Sequence, residues 1–150
     1  MGKRTYATIM LFAEGSDEGM KAARDAIRLA ADEDAVVVIT AVVDTDILRQ
    51  LLTRRIFLPE EMAEYERELE ESCRRQLNYI AQLADQAKVR NTTLLLRGPC
   101  HAVMTHAQKE QKADLLVMGA YHSRSARRDL MASEKQLIVD EIACPVLLVR

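Results

Sequence analysis

Several common signatures of function are missing from this chain. No apolar run approaches the ~18 residues that a membrane span needs, and Met1 to Tyr6 lead directly into a strand pattern without the apolar core of a secretory signal. The expectation is a cytoplasmic protein without a membrane span. The three cysteines, Cys73, Cys100 and Cys144, are odd in number and form no C-x-x-C pair, which fits neither a disulfide framework nor a zinc knuckle. Reduced, packed thiols are expected. Cys100 lies near a predicted helix N-terminus, yet no basic partner accompanies it, so a core thiol is the better reading. His101 and His106 stand ~140° apart around that helix and cannot share one ion, so no metal is expected. There is no P-loop lysine motif and no Ser-His-Asp order. Gly15-Ser-Asp-Glu-Gly19 is not a dinucleotide fingerprint, because the carboxylates around it would repel a pyrophosphate. Neither internal repeats nor low-complexity segments are visible.

What is present is an ordinary globular composition: 150 residues, 49% hydrophobic and 29% charged. A chain of that length buries roughly 70% of its unfolded surface in one core, so one domain spanning 1–150 is expected. The net charge of −2 hides an asymmetry, with seven carboxylates between Glu60 and Glu71 and Arg124, Arg127 and Arg128 crowded into one segment. Bulk nucleic-acid binding is not suggested.

Apolar runs alternate with helical periodicities along the whole chain. Ala7 to Ala13 is a first buried strand; Ser16 then caps a helix that runs to about Asp32 with Met20, Ala23, Ile27 and Ala30 or Ala31 inward. Ala35 to Val43, rich in β-branched residues and apolar on both faces, is the second strand. Ile47 to Leu52 reads as one or two amphipathic turns. From Pro59 to about Lys88 the positions Met62, Tyr65 or Leu69, Cys73, Leu77, Ile80, Ala84 and Ala87 recur at helical spacing. Such a helix would be ~45 Å long beside strands of roughly 20 Å, so its acidic first turns should overhang the sheet as a candidate contact surface. Thr92 to Arg97 is the third strand, and a helix opening at Pro99 runs to Gln111. Leu115 to Met118 is the fourth strand, stopping at Gly119. A basic loop over 121–129 and a helix starting near Ser133 then lead to a last strand, Val146 to Val149. Strict β-α alternation of this kind predicts an α/β fold: an open, five-stranded, doubly wound parallel sheet with helices on both faces.

Individual motifs sharpen this. Ile9-Met-Leu-Phe-Ala-Glu-Gly-Ser-Asp17, Gly98-Pro99, Ala113-Asp-Leu-Leu-Val-Met-Gly119 and Cys144-Pro-Val-Leu147 resemble the opening "ILVPVDGSE", the "G-x-P", the "ADLIVMG" and the "CPVL" of the universal stress protein family. The resemblance covers nearly the whole chain. It implies a Rossmann-like sheet of the adenine nucleotide alpha hydrolase type, with the first and fourth strands adjacent, so that Glu14 and Gly119 meet where the winding reverses.

It also implies a candidate nucleotide site. In ATP-binding relatives the acidic position here held by Glu14 and the residues after strand two, here Val43, hold the adenosine, and a Gly-x2-Gly-x9-Gly-Ser/Thr loop wraps the phosphates. Those loop positions fall on Gly119, His122, Ala132 and Ser133, so two match and two carry a Cβ where backbone should approach phosphate. The expectation is a degenerate loop with weak or absent ATP binding, no resident cofactor and no catalytic residue. Structural roles for the matching residues are a turn at Gly119 and, with Gln136, a capping box at Ser133. One alternative is an ATP- or AMP-binding member in which the arginines replace lost amides as phosphate ligands. A second is a slow ATPase or phosphotransferase, although no general base or metal-binding carboxylate pair is placed near the loop. The family resemblance further implies a homodimer through Val146–Val149, whose edge carries no Lys, Pro or bulge to discourage pairing, and action on an unknown protein client.

Overall fold

The computed structural model describes residues 4–121 and 126–150, with 126–130 as backbone only. Its five strands are β1 (Thr8–Phe12), β2 (Val36–Asp44), β3 (Asn91–Gly98), β4 (Leu115–Gly119) and β5 (Val146–Val149), and its helices are α1 (Asp17–Glu33), α2 (Thr45–Thr53), α3 (Pro59–Gln86), α4 (Cys100–Gln111) and α5 (Ala126–Glu141). The strands form one sheet in the order β3-β2-β1-β4-β5, every neighbouring pair parallel.

The period-2 alternation of the strands divides the core in two. Ile9 and Leu11 of β1, Val37 and Ile39 of β2, and Leu115 and Val117 of β4 face α1 and α3. Met10, Phe12, Val38, Leu116 and Met118 face the other way, onto Cys100 and Met104 of α4 and Ile138 of α5. Both faces are covered, as a parallel sheet with continuous apolar strands requires. The central strands are locked at their starts as well, since Asp114 accepts from the amides of Ala7 and Thr8 at 2.9 and 3.1 Å.

Local signals explain most boundaries. Ser16 accepts from the amide of Gly19 and caps α1, with Asp17 and Glu18 in its first turn. Met20, expected inward, is only half-buried; the inward face is Ala22, Ala23, Ala26, Ile27 and Ala30. α3 begins at Pro59, whose missing N–H is no loss at a first helical position. Its buried residues after Met62 are Cys73, Leu77, Ile80 and Ala84, so the acidic turns between are the overhanging part.

One boundary differs from the sequence reading. α5 begins at Ala126 and not near Ser133, so Ser133 stands exposed inside the helix and caps nothing. Arg127 and Arg128 accordingly belong to the first turn of α5 by backbone, whereas His122 and Arg124 lie outside the described residues.

Candidate functional site

The reversal of winding between β1 and β4 opens a crevice at their carboxyl ends. β1 gives way at Ala13, whose amide donates to Thr40 O at 2.7 Å, and Glu14 then occupies the turn before the Ser16 cap. Across from it α5 presents Lys135. The Lys135 Nζ lies 2.5 Å from Glu14 Oε1 and donates to Gly119 O at 3.1 Å, with the Phe12 ring centroid at 6.0 Å. Lys135 is only 3% exposed. A buried ammonium demands such a setting, because without a carboxylate and a carbonyl its desolvation would cost several kcal/mol.

Gly119 is needed here for lack of a side chain. A Cβ at this position would lie 2.7 Å from Glu14 Oε1 and 2.8 Å from the backbone of Glu18 and Gly19. The start of α1 and the Glu14 carboxylate thus fill the space that a side chain at Gly119 would need. The remaining cavity is about 240 Å³ and is bordered by Glu14, Ser16, Glu18, Tyr121, Ala132 and Lys135, among others. Drug-sized ligands ordinarily occupy ~300–1,000 Å³.

The sequence-predicted site residues separate in three ways. Glu14 and Ala132 border the crevice, with Gly119 packed behind Glu14. Val43 and Ser133 do not border it: Val43 is fully buried in the core below α2 and α3, and Ser133 is exposed on α5. His122 is outside the described residues. Lys135, Tyr121 and Ser16 are brought to the crevice without having been singled out for it. For Lys135 a signal existed, since it sits among Ala132, Ile138 and Val139 on the buried face of α5, where a charge is out of place.

A second polar cluster lies where β2 and β3 end. Asp44 Oδ1 accepts from the amides of Asp46 and Ile47 and so caps α2, while its Oδ2 accepts from Cys100 N at 3.0 Å. Glu134 Oε2 accepts from His101 N at 3.0 Å and lies 2.8 Å from His101 Nδ1. Two acidic side chains from different elements thereby satisfy the first amides of α4. The Glu134 hydrogen bond pushes the His101 imidazole above its ordinary pKa, against the opposing effect of burial. Burial pushes the Cys100 thiol far up, and Asp44 and Glu134 add to this. His106 pairs separately with Glu110, so the two histidines act apart.

Chemically, the crevice offers the Lys135–Glu14 ion pair, the Glu18 carboxylate and two hydroxyls already engaged, Ser16 as a helix cap and Tyr121 as a donor to Gln136 Oε1 at 2.6 Å. Among the described residues it contains no nucleophile held by a base.

Comparison with known proteins places this geometry in a family. The model of the universal stress protein family matches residues 5–150. A universal stress protein of Methanocaldococcus jannaschii is 32% identical over 152 residues, covering 99% of this chain and 85% of that one. Among solved structures, the universal stress protein UspA from Lactobacillus plantarum aligns with a TM-score of 0.65 at 22% identity, over 99% of this chain and 100% of the other. A universal stress protein solved in complex with cAMP aligns at 0.66 and 20% identity, over 97% of each chain. At those identities the two structures speak for the fold alone. The family match and the archaeal relative go further: this chain belongs to the universal stress protein family.

Proposed function

We propose that this universal stress protein acts as a homodimeric, non-catalytic stress-response protein that works by contact with partner proteins, and that its switch-point crevice binds adenine nucleotides weakly or not at all. The observation that carries this reading is the Lys135–Glu14 pair. A nucleotide using Glu14 would have to displace an ammonium 2.5 Å away that is also bonded to Gly119 O. Because Lys135 is buried while Glu14 keeps some solvent contact, removing one partner costs about 2–4 kcal/mol, enough to lower affinity by roughly one and a half to three orders of magnitude unless the ligand supplies a replacement. Ala132 adds a Cβ to the crevice wall, and the cavity left over is small for an adenosine with phosphates.

A second reading has its own observation. Lys135 is a cation already poised in the crevice, and one relative of this fold was solved with cAMP. If Lys135 turned from Glu14 to a phosphate, the pair would be a gate.

Calorimetric titration of ligand-free protein with Mg-ATP, ADP and AMP separates the two. The expected result is no saturable heat, or a dissociation constant above ~10 μM; tighter binding, beyond ~7 kcal/mol, overturns the closed-crevice reading. Two variants locate the obstacle. His122→Gly with Ala132→Gly tests the missing loop glycines, and Glu14→Asp with Lys135→Ser opens the crevice itself. The crevice variant should gain affinity; a gain confined to the loop variant would mean that the ion pair is incidental.

A further inference from the structure

We propose that Asp44, Cys100 and Glu134 form a binding site for a thiophilic divalent cation of the zinc class, independent of the nucleotide crevice. The three residues come from three elements: Asp44 closes β2, Cys100 opens α4 and Glu134 faces them from α5. One donor atom of each lies within 4.8 Å of the others. Asp44 and Cys100 are buried, and the Glu134 side chain is 15% exposed.

The donors have capacity to spare. Among the described residues Asp44 Oδ2 accepts from Cys100 N alone, and a carboxylate oxygen has about two lone pairs. Both described bonds to Glu134 fall on Oε2, which leaves Oε1 without one among the described residues. The Cys100 thiol, fully buried, makes no hydrogen bond among the described residues. Helix capping accounts for both carboxylates, while the Cys100 side chain packs in the core beside Met10, Phe12 and Met104 and so turns a thiol without a polar partner among the described residues toward those carboxylates.

Electrostatics point the same way. Two carboxylates face a thiol in a poorly solvated corner, and the nearby Lys135 ammonium is committed to Glu14. Burial first, and then Asp44 and Glu134, favour the neutral thiol in the absence of a cation. A bound divalent ion reverses the sign: Cys100 releases its proton to solvent, the Sγ–metal bond forms, and the negative corner is neutralised. Zinc bonds of ~2.3 Å to sulfur and ~2.0–2.2 Å to oxygen put tetrahedral ligands roughly 3.4–3.6 Å apart, so donors within 4.8 Å of one another need to close by at most about 1.4 Å. A thiolate among the ligands selects zinc-like ions over magnesium or calcium. His101 acts as a positioning residue: its ring lies 2.8 Å from Glu134 Oε2 and fixes the orientation of that carboxylate.

The test uses the full chain, stripped with chelator and kept free of oxygen, with cobalt(II) as the probe and zinc(II) as the competitor. One equivalent of cobalt should produce a thiolate-to-metal charge-transfer band that zinc abolishes, with about one proton released per ion. The band should vanish in Cys100→Ser and Cys100→Ala and persist in Cys73→Ser and Cys144→Ser. Glu134→Gln and His101→Ala should each weaken binding at least ~10-fold. The two Cys100 replacements guard against a folding defect, which circular dichroism also reports. Absence of the band at ~1 mM cobalt and pH 8, or a band that survives loss of Cys100, would overturn the proposal.

Discussion

At the scale of single residues, the Lys135 ammonium is buried against the Glu14 carboxylate just beyond β1. Lys135 interrupts the apolar stripe of α5, and its charge makes sense only once Glu14, distant in sequence, is seen beside it. Replacing Lys135 by Met should leave Glu14 facing Gly119 without a counterion and cost about 2–4 kcal/mol in urea unfolding, somewhat less than a fully buried pair because Glu14 retains solvent contact. Adding Glu14→Gln should restore most of that loss. A single variant within ~0.5 kcal/mol of wild type would mean that the pair does not close the crevice. Gly119 is a steric constraint of another kind. Its absent Cβ would meet backbone atoms of α1, which cannot swing aside as a side chain can, so Gly119→Ala should destabilise by about 1–3 kcal/mol in the same assay. A neutral result would show that the start of α1 can retreat.

At the scale of elements, the strands were legible and one helix end was not. Val36 to Val43 is rich in β-branched residues and apolar on both faces, a pattern that a covered parallel strand satisfies; the family resemblance implies that the first and fourth strands are neighbours, as they are in the observed order. α5 was misplaced by seven residues because Ser133 and Gln136 have capping-box spacing, while the true first turn, Ala-Arg-Arg-Asp, carries charges that read as a loop. A capping box means something only where the preceding chain is extended, and that is tertiary information. Asp44 and Glu134 escaped notice for a related reason: they cap the start of a helix far away in the chain. In α3 the periodicity holds from Met62 to Ala84, whereas Ala87 is exposed just past the helix end. Its overhanging half is tethered by Arg97 to Glu66 and Glu70, an exposed contact that salt will screen, whereas its other half is buried under Ile80 and Leu77. Ile80→Ala should therefore cost about 2–5 kcal/mol and Leu69→Ala under ~1 kcal/mol by denaturant unfolding. Equal costs would place the end of the core further along α3 than its burial shows.

At the scale of the whole molecule, two exposed apolar surfaces among the described residues are candidates for the interface of the proposed homodimer, and symmetry discriminates between them. One surrounds the start of α3, where Ile56 and Leu58 are 56% and 62% exposed and the stacked rings of Phe57 and Tyr65 border a groove with Glu60, Glu61, Glu64 and Glu68. A two-fold interface brings the same patch of each copy together, so pairing here would press like carboxylates against one another. The other is β5, an edge strand whose Leu147 and Leu148 point to opposite faces and are 40% and 41% exposed. Nothing charged lies within that strand, and two copies related by a two-fold axis would run antiparallel and satisfy each other's unpaired backbone groups. The opposite edge, β3, carries Arg97 and two threonines and is guarded accordingly. Sedimentation equilibrium at roughly 1–50 μM should thus find a dimer, with a dissociation constant in or below that range. Leu147→Lys places two ammonium groups across the axis and should weaken the dimer by at least ~100-fold, or about 2.7 kcal/mol, while Ile56→Lys leaves it intact. The reverse pattern would move the interface to α3, and a wild-type monomer throughout the range would refute pairing at either surface. High salt adds an independent arm. It should leave β5 pairing nearly unchanged, because the contact is apolar and backbone-mediated, but it would strengthen association through the acidic patch by screening its repulsion.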